Sequence, residues 1–129
     1  MENSLKIDLE SLTLEQFRAL KREDLPDFAD QVRNFLISTI SKTGGHIGAN
    51  LGTVELSTCL HHCFNSPDDA FIFDTGHIGY THKIITGRAS SFDSLNTYGG
   101  MSRFVSRDES EHDFVEASHA GTSISLALG

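Results

Sequence analysis

Tryptophan is absent from this 129-residue chain, and cysteine and proline occur only twice each. Two cysteines, Cys59 and Cys63, are too few for the disulfide framework of a small secreted fold, and in a cytosolic setting they read as free thiols. No apolar run approaches the ~20 residues that span a bilayer. No basic stretch followed by an apolar one opens the chain, so a cytoplasmic location is expected. Positive charge is also scarce: Lys and Arg number 10 against 18 Asp and Glu, a net charge of −8. Duplex binding needs basic surface that displaces counterions, which argues against nucleic acid as the main partner. A basic membrane-surface role is disfavoured for the same reason. There is no internal repeat and no low-complexity tract. A chain under ~150 residues points to one domain, and it can bury roughly two-thirds of its unfolded surface.

Histidine and glycine are abundant instead. There are seven histidines and 11 glycines, and Gly44, Gly45, Gly48 and Gly52 cluster. This combination points to a polar site with tight backbone turns. Thr13 and Gln16 form a capping box that starts a short helix. Pro26, after the break at Asp24-Leu25, suits a first helical turn. Phe28, Val32, Phe35, Leu36, Thr39 and Ile40 repeat at helical spacing, and Gly44-Gly45 stops that helix. A third helix is expected from Thr53, with Leu56, Cys59, Leu60, Cys63 and Phe64 as its apolar stripe. Residues 70–74, Ala-Phe-Ile-Phe-Asp, read as a short buried parallel strand. A short helix is expected over 80–86, ended by Gly87, and a last one from Gly121-Thr122-Ser123 through Leu128. Residues 88–119 show no sustained period, apart from a turn at Tyr98-Gly99-Gly100. One strand does not make a sheet. The expected fold class is therefore α/β, helix-rich and incomplete, the front part of a larger parallel-sheet domain.

Five constellations could carry chemistry. Asp74-Thr75-Gly76-His77 follows the expected strand, where α/β sheets bind ligands, and a histidine there can bind phosphate or move a proton. The competing reading is a histidine that only caps a turn. Gly45-His46 lies in a glycine-rich loop that could cradle phosphate, although structural turns explain it equally well. It has no Gly-Lys-Ser/Thr and no dinucleotide fingerprint. Ser118-His119-Ala120-Gly121-Thr122-Ser123 opens a helix and could receive an anion, or be ordinary capping. Cys59, His61, His62 and Cys63 could suggest zinc, but four tetrahedral ligands do not converge from one helix. Core cysteines with surface histidines is the expected reading. The charged run over 107–113 reads as a solvated loop; a carboxylate pair there could hold a metal or orient a base, but the spacing alone is not specific.

Several of these blocks resemble one known family. Ser41-Lys42-Thr43-Gly44-Gly45-His46-Ile47-Gly48-Ala49-Asn50-Leu51-Gly52-Thr53-Val54-Glu55-Leu56 resembles the opening of 1-deoxy-D-xylulose-5-phosphate synthases. So does Phe73-Asp74-Thr75-Gly76-His77-Ile78-Gly79-Tyr80-Thr81-His82-Lys83-Ile84-Ile85-Thr86-Gly87-Arg88. Tyr98-Gly99-Gly100, Glu109-Ser110-Glu111-His112-Asp113 and His119-Ala120-Gly121-Thr122-Ser123-Ile124-Ser125 fit in order and spacing. The resemblance runs over about residues 25–129.

It implies a partial thiamine-diphosphate-binding, transketolase-like domain over 1–129. The implied cofactors are thiamine diphosphate and Mg²⁺, and the implied substrates are pyruvate and glyceraldehyde 3-phosphate. The product would feed isoprenoid, thiamine and pyridoxal synthesis, and a homodimer would be expected. His77 matches the cofactor-contacting histidine, and His46 matches a histidine near the reacting centre. Ser118-His119-Ala120 matches the family's diphosphate-binding Gly-His-Ser. Here a side chain replaces that glycine and a hydroxyl is lost, while Ile78-Gly79 replaces Gln-Ala. The Gly-Asp-Gly segment and later Asn that ligate Mg²⁺ are absent from this sequence, as is the glutamate that activates the aminopyrimidine. The expectation is a chain without catalysis on its own. The alternatives are one subunit of a split transketolase-like enzyme, or a non-catalytic remnant serving as an interaction module.

Overall fold

Thr13 starts helix α1 (Leu14–Arg18) as its sequence predicts. The Gln16 amide donates to Thr13 Oγ1 at 3.1 Å, and the Thr13 amide donates to Gln16 Oε1 at 3.0 Å. Two free donors of the first turn are thereby satisfied. The computed structural model describes residues 4–129. Helix α2 (Leu25–Thr43) carries Pro26 in its first turn and buries Phe28, Val32, Leu36 and Ile40. It ends at Gly44, whose φ of 76° suits the left-handed cap and whose N–H bonds Ile40 O at 2.9 Å.

Two short helices follow, α3 (Ile47–Leu51) and α4 (Val54–Cys63). After an irregular segment come a single turn at Gly76–Ile78, then α5 (Tyr80–Lys83). A wide turn over Ile84–Arg88 breaks at Gly87 (φ 90°), where the sequence places the stop. A 3₁₀ segment, Ala89–Ser94, gives order to part of the stretch without period. Helix α6 (Ser123–Leu128) closes the chain. The core gathers Phe17, Phe28, Val32, Leu36, Ile40, Val54, Tyr80, Ile84, Ile85 and Phe92. Phe17 packs on Phe28 with centroids 4.9 Å apart, and Phe92 meets Tyr80 edge-on at 5.7 Å. Among the described residues no helix is long and apolar enough to cross a membrane.

Three expectations are corrected. No strand occurs among the described residues. Residues 70–74 have no backbone hydrogen bond to any described residue, because no neighbouring strand lies beside them. Helix α4 is turned the other way round: it buries Val54, Ser57, Thr58 and His61. Leu56 is 60% exposed, Phe64 49%, and both cysteines are exposed. Two stripes share the helical period on α4, and α4 packs against α2 and α5 with Ser57 and Thr58 among its buried residues. His61 is buried because His82 Nδ1 on α5 gives its Nε2 a hydrogen-bond partner at 2.8 Å. Finally, the charged run is not simply solvated. Asp113 and most of Glu109 turn inward to meet Arg88, His82 and Lys83.

Candidate functional site

His77 sits in the turn Gly76–Ile78, with Thr75 before it. The Thr75 hydroxyl is hydrogen-bonded to His77 Nδ1, which fixes the ring and leaves Nε2 as its other nitrogen. The other candidate histidine, His46, precedes α3 and is exposed. The two rings lie 4.2 Å apart between centroids, inclined by 36°. Phe104 meets His77 edge-on at 6.5 Å. Partial burial, and secondarily the neighbouring His46, hold His77 below the usual histidine value.

The third candidate segment reaches the same place through its backbone. Gly76 N–H donates to Ala117 O at 2.7 Å, and Val105 N–H donates to Gly76 O at 3.1 Å. A Cβ on Gly76 would stand 3.2 Å from both backbone atoms, so a side chain there would push these segments apart by a few tenths of an ångström. Ser118, His119 and Ala120 are exposed. Asp74 accepts Gly121 N–H at 2.8 Å and the Ser123 hydroxyl at 3.0 Å, occupying the donors where α6 begins. The space over Gly121 is open. The structure therefore brings His46, His77 and the 117–121 backbone to one face. The His119 side chain remains on the surface.

Two features escape the sequence reading. Asn50 is fully buried and bonds the carbonyls of both His46 and His77, each at 2.7 Å. Tyr80 is also fully buried, and its hydroxyl lies beneath Gly45. An amide inside an otherwise apolar short helix is the signal that could have marked Asn50.

Gly45 has φ 145°, and a Cβ there would lie 3.0 Å from Tyr80 Oη and 3.4 Å from Ile40 Cγ2. Gly45→Ala is therefore expected to cost roughly 1–3 kcal/mol in urea unfolding. Gly48→Ala is the control. Its backbone is ordinary and the space around it is open, so it is expected to be neutral or slightly stabilising. Equal losses for both substitutions would count against this account of the loop.

A family model described as 1-deoxy-D-xylulose-5-phosphate synthase matches residues 9–129. Among curated relatives, 1-deoxy-D-xylulose-5-phosphate synthase 1 of Geobacter sulfurreducens is 51% identical over 112 residues, which is 87% of this chain and 18% of the relative. The Mycobacteroides abscessus 1-deoxy-D-xylulose-5-phosphate synthase is 54% identical over 112 residues, again 87% and 18%. That of Alkaliphilus oremlandii is 48% identical over 121 residues, 94% of this chain and 19% of the relative. The chain thus spans about a fifth of the length of these relatives.

Proposed function

The chain belongs to the 1-deoxy-D-xylulose-5-phosphate synthase family, and from that membership we propose that it supplies one wall of a thiamine-diphosphate site. The reaction served is the decarboxylation of pyruvate and the joining of its two-carbon remainder to glyceraldehyde 3-phosphate. Carbon dioxide leaves, and 1-deoxy-D-xylulose 5-phosphate enters isoprenoid, thiamine and pyridoxal synthesis. The observation that carries this reading is the convergence on one face of His46, His77 and the 117–121 backbone.

Open space over Gly121 and the exposed 118–120 turn fit a bulky polar ligand. Thiamine diphosphate, when bound, supplies the electron sink for the carbanion chemistry. His77 and the Ser118-His119-Ala120 segment are the residues that would hold it. His77, biased toward its neutral form, can accept or deliver a proton at Nε2 near neutral pH. His46 is placed to handle protons or hydroxyls beside it. Among the described residues no group of three or more His, Cys, Asp or Glu is arranged to hold a metal ion. The Mg²⁺ ligands would come from the Gly-Asp-Gly and Asn motifs that this sequence lacks.

The working form is then a cytoplasmic assembly, with a longer polypeptide or a separate subunit adding the remainder, and with homodimers as in the family. Residues 70–74 become a strand of a parallel sheet whose neighbours come from that remainder. The exposed apolar side chains Leu56, Phe64, Ile124 and Leu128 support such a cover. A second reading is a non-catalytic interaction module. The loss of a hydroxyl at Ala120 and the added side chain at Ser118 favour it.

The test is complementation. The chain is mixed with the part of the Geobacter sulfurreducens relative that lies beyond the matched region, plus thiamine diphosphate and Mg²⁺. Expected are no turnover by either piece alone, turnover by the mixture, and a loss of about 10²–10⁴-fold with His77→Ala. A stable complex without turnover, unaltered by combined Ser118→Gly and Ala120→Ser, would favour the interaction module. Turnover by the chain alone would overturn the proposed division of labour.

A further inference from the structure

Asn50 uses every strong hydrogen-bonding group of its side chain inside a fully buried position. Its two Nδ2 hydrogens go to His46 O and His77 O, each at 2.7 Å, and its Oδ1 accepts Tyr80 N–H at 3.0 Å. The orientation of the amide follows from these partners. A flipped amide would aim Oδ1 at two carbonyl oxygens and an NH₂ at a backbone N–H. The two carbonyls belong to the two histidines themselves, residues 27 apart from Asn50 and four apart from it along the chain. One side chain therefore fixes the backbone of both, and with it the separation of their rings.

Among the described residues, few other side-chain hydrogen bonds join the His46 segment to the His77 turn, although Tyr80 packs beneath Gly45. Helix α3 has no side-chain cap from His46. The Asn96 amide bonds Gly44 O at 2.9 Å but ties that loop to residue 96, not to the His77 turn. Thr53 Oγ1 reaches Ile78 O at 3.3 Å, a longer contact that touches neither histidine. No other residue type suits position 50. Aspartate would face two carbonyls with negative charge, glutamine is a methylene too long for a closed site, and alanine removes the one side-chain donor that joins the two carbonyls.

We propose that Asn50 is the positioning residue of the His46–His77 pair, setting the ring spacing on which proton handling at that site depends. The inference deepens the reading of these histidines as the reacting pair and rests on it for its catalytic meaning.

The test reads the coupling between the rings directly in the intact chain, by NMR titration of the imidazole resonances, with neither substrate nor cofactor. In the wild type, His46→Asn is expected to move the His77 midpoint upward, because a neighbouring positive charge is removed. In the Asn50→Ala background the same substitution is expected to leave His77 unmoved. Resonances of buried His61 and His82 and the far-UV circular dichroism should stay unchanged, which a general loosening of the fold would not allow. Should Asn50→Ala fail to fold, Asn50→Ser, which keeps one donor, is measured in the same cycle. A His46–His77 coupling that persists at full size in a folded Asn50 variant overturns the proposal. So does failure of both variants to fold, since Asn50 would then be a stability residue. Lost coupling together with failed complementation would retain the positioning role and remove the carboligase reading, so the two can fail separately.

Discussion

Asp113→Ala is expected to lower the stability of the folded chain by roughly 3–5 kcal/mol, the cost of stranding buried charge. The Asp113 side chain has no solvent exposure. It accepts Arg88 Nη1 and Nη2 at 2.7 Å each, His82 Nε2 at 2.9 Å and Ser106 N–H at 2.9 Å. Burial by itself would raise this carboxyl. Hydrogen bonds from His82 and Arg88, with the Arg88 charge, outweigh it and hold the group well below the usual carboxylate range. Removing the carboxylate leaves a guanidinium only 12% exposed with Glu109 as its remaining acidic partner, and a buried imidazole without an acceptor. For a domain whose total stability is about 5–15 kcal/mol, that loss would leave the variant near its unfolding threshold. Asp108→Ala, in the same charged run but exposed, should change stability by no more than about 0.5 kcal/mol. Urea denaturation of the two variants checks the contrast, and similar small losses would sink this assignment.

Acidification should destabilise the chain well above the range in which carboxylates titrate. His61 Nε2 and His82 Nδ1 are 2.8 Å apart, and His82 Nε2 meets Asp113 at 2.9 Å. An ionised Asp113 accepts only, so His82 donates through Nε2 and accepts at Nδ1, and His61 donates to it. This order leaves His61 Nδ1 as a bare acceptor, buried without a partner among the described residues. Phe71 lies edge-on to the His61 ring at 4.6 Å, so a second proton would be placed with no group to receive it. Burial pushes His61 down to about 3, with the neighbouring His82 adding to it. Burial also lowers His82, outweighing the opposite pull of Asp113.

Both histidines are thus harder to protonate folded than unfolded. The unfolded chain binds more protons below its ordinary histidine value of ~6.5, so stability is complete above that pH and falls as pH drops toward 3. Between ~6.5 and 4.5, His61 alone should account for roughly 2 kcal/mol. Asp113 adds its own loss only below ~3.9, where the unfolded carboxyl begins to protonate. Urea midpoints from pH 7.5 to 4.5 would show the fall. His61→Gln keeps a donor toward His82 but cannot titrate, and should reduce the slope by about one proton. An unchanged slope would remove His61 from the account.

His46 and His77 were visible because glycines flank both, and glycine marks places where backbone must come close or turn sharply. Gly76 confirms the principle by touching Ala117 and Val105. Asn50 is also flanked by glycines, and its amide stands out in an apolar short helix, but its three partners lie on two separate segments that local sequence does not bring together. The inward turn of Glu109 and Asp113 was hidden in a run that looks solvated. What draws them in is Lys83, fully buried and bonded to Glu109 Oε1 at 3.0 Å, together with Arg88.

Local sequence alone determined α1, α2, the glycine stop at residue 44, the break at Gly87 and the family to which the chain belongs. Caps, chain stops and amphipathic period act between residues a few positions apart, so they are legible without a fold. Tertiary structure decided which face of α4 is buried and whether residues 70–74 pair. On α4 the stripes Leu56–Cys59–Leu60–Cys63 and Val54–Ser57–Thr58–His61 have the same period. Hydropathy favours the first, but contact with α2 and α5 and the hydrogen bond to His82 select the second. Residues 70–74 carry strand-forming side chains, yet a strand is a relation between two segments, and no described segment lies alongside to accept its hydrogen bonds.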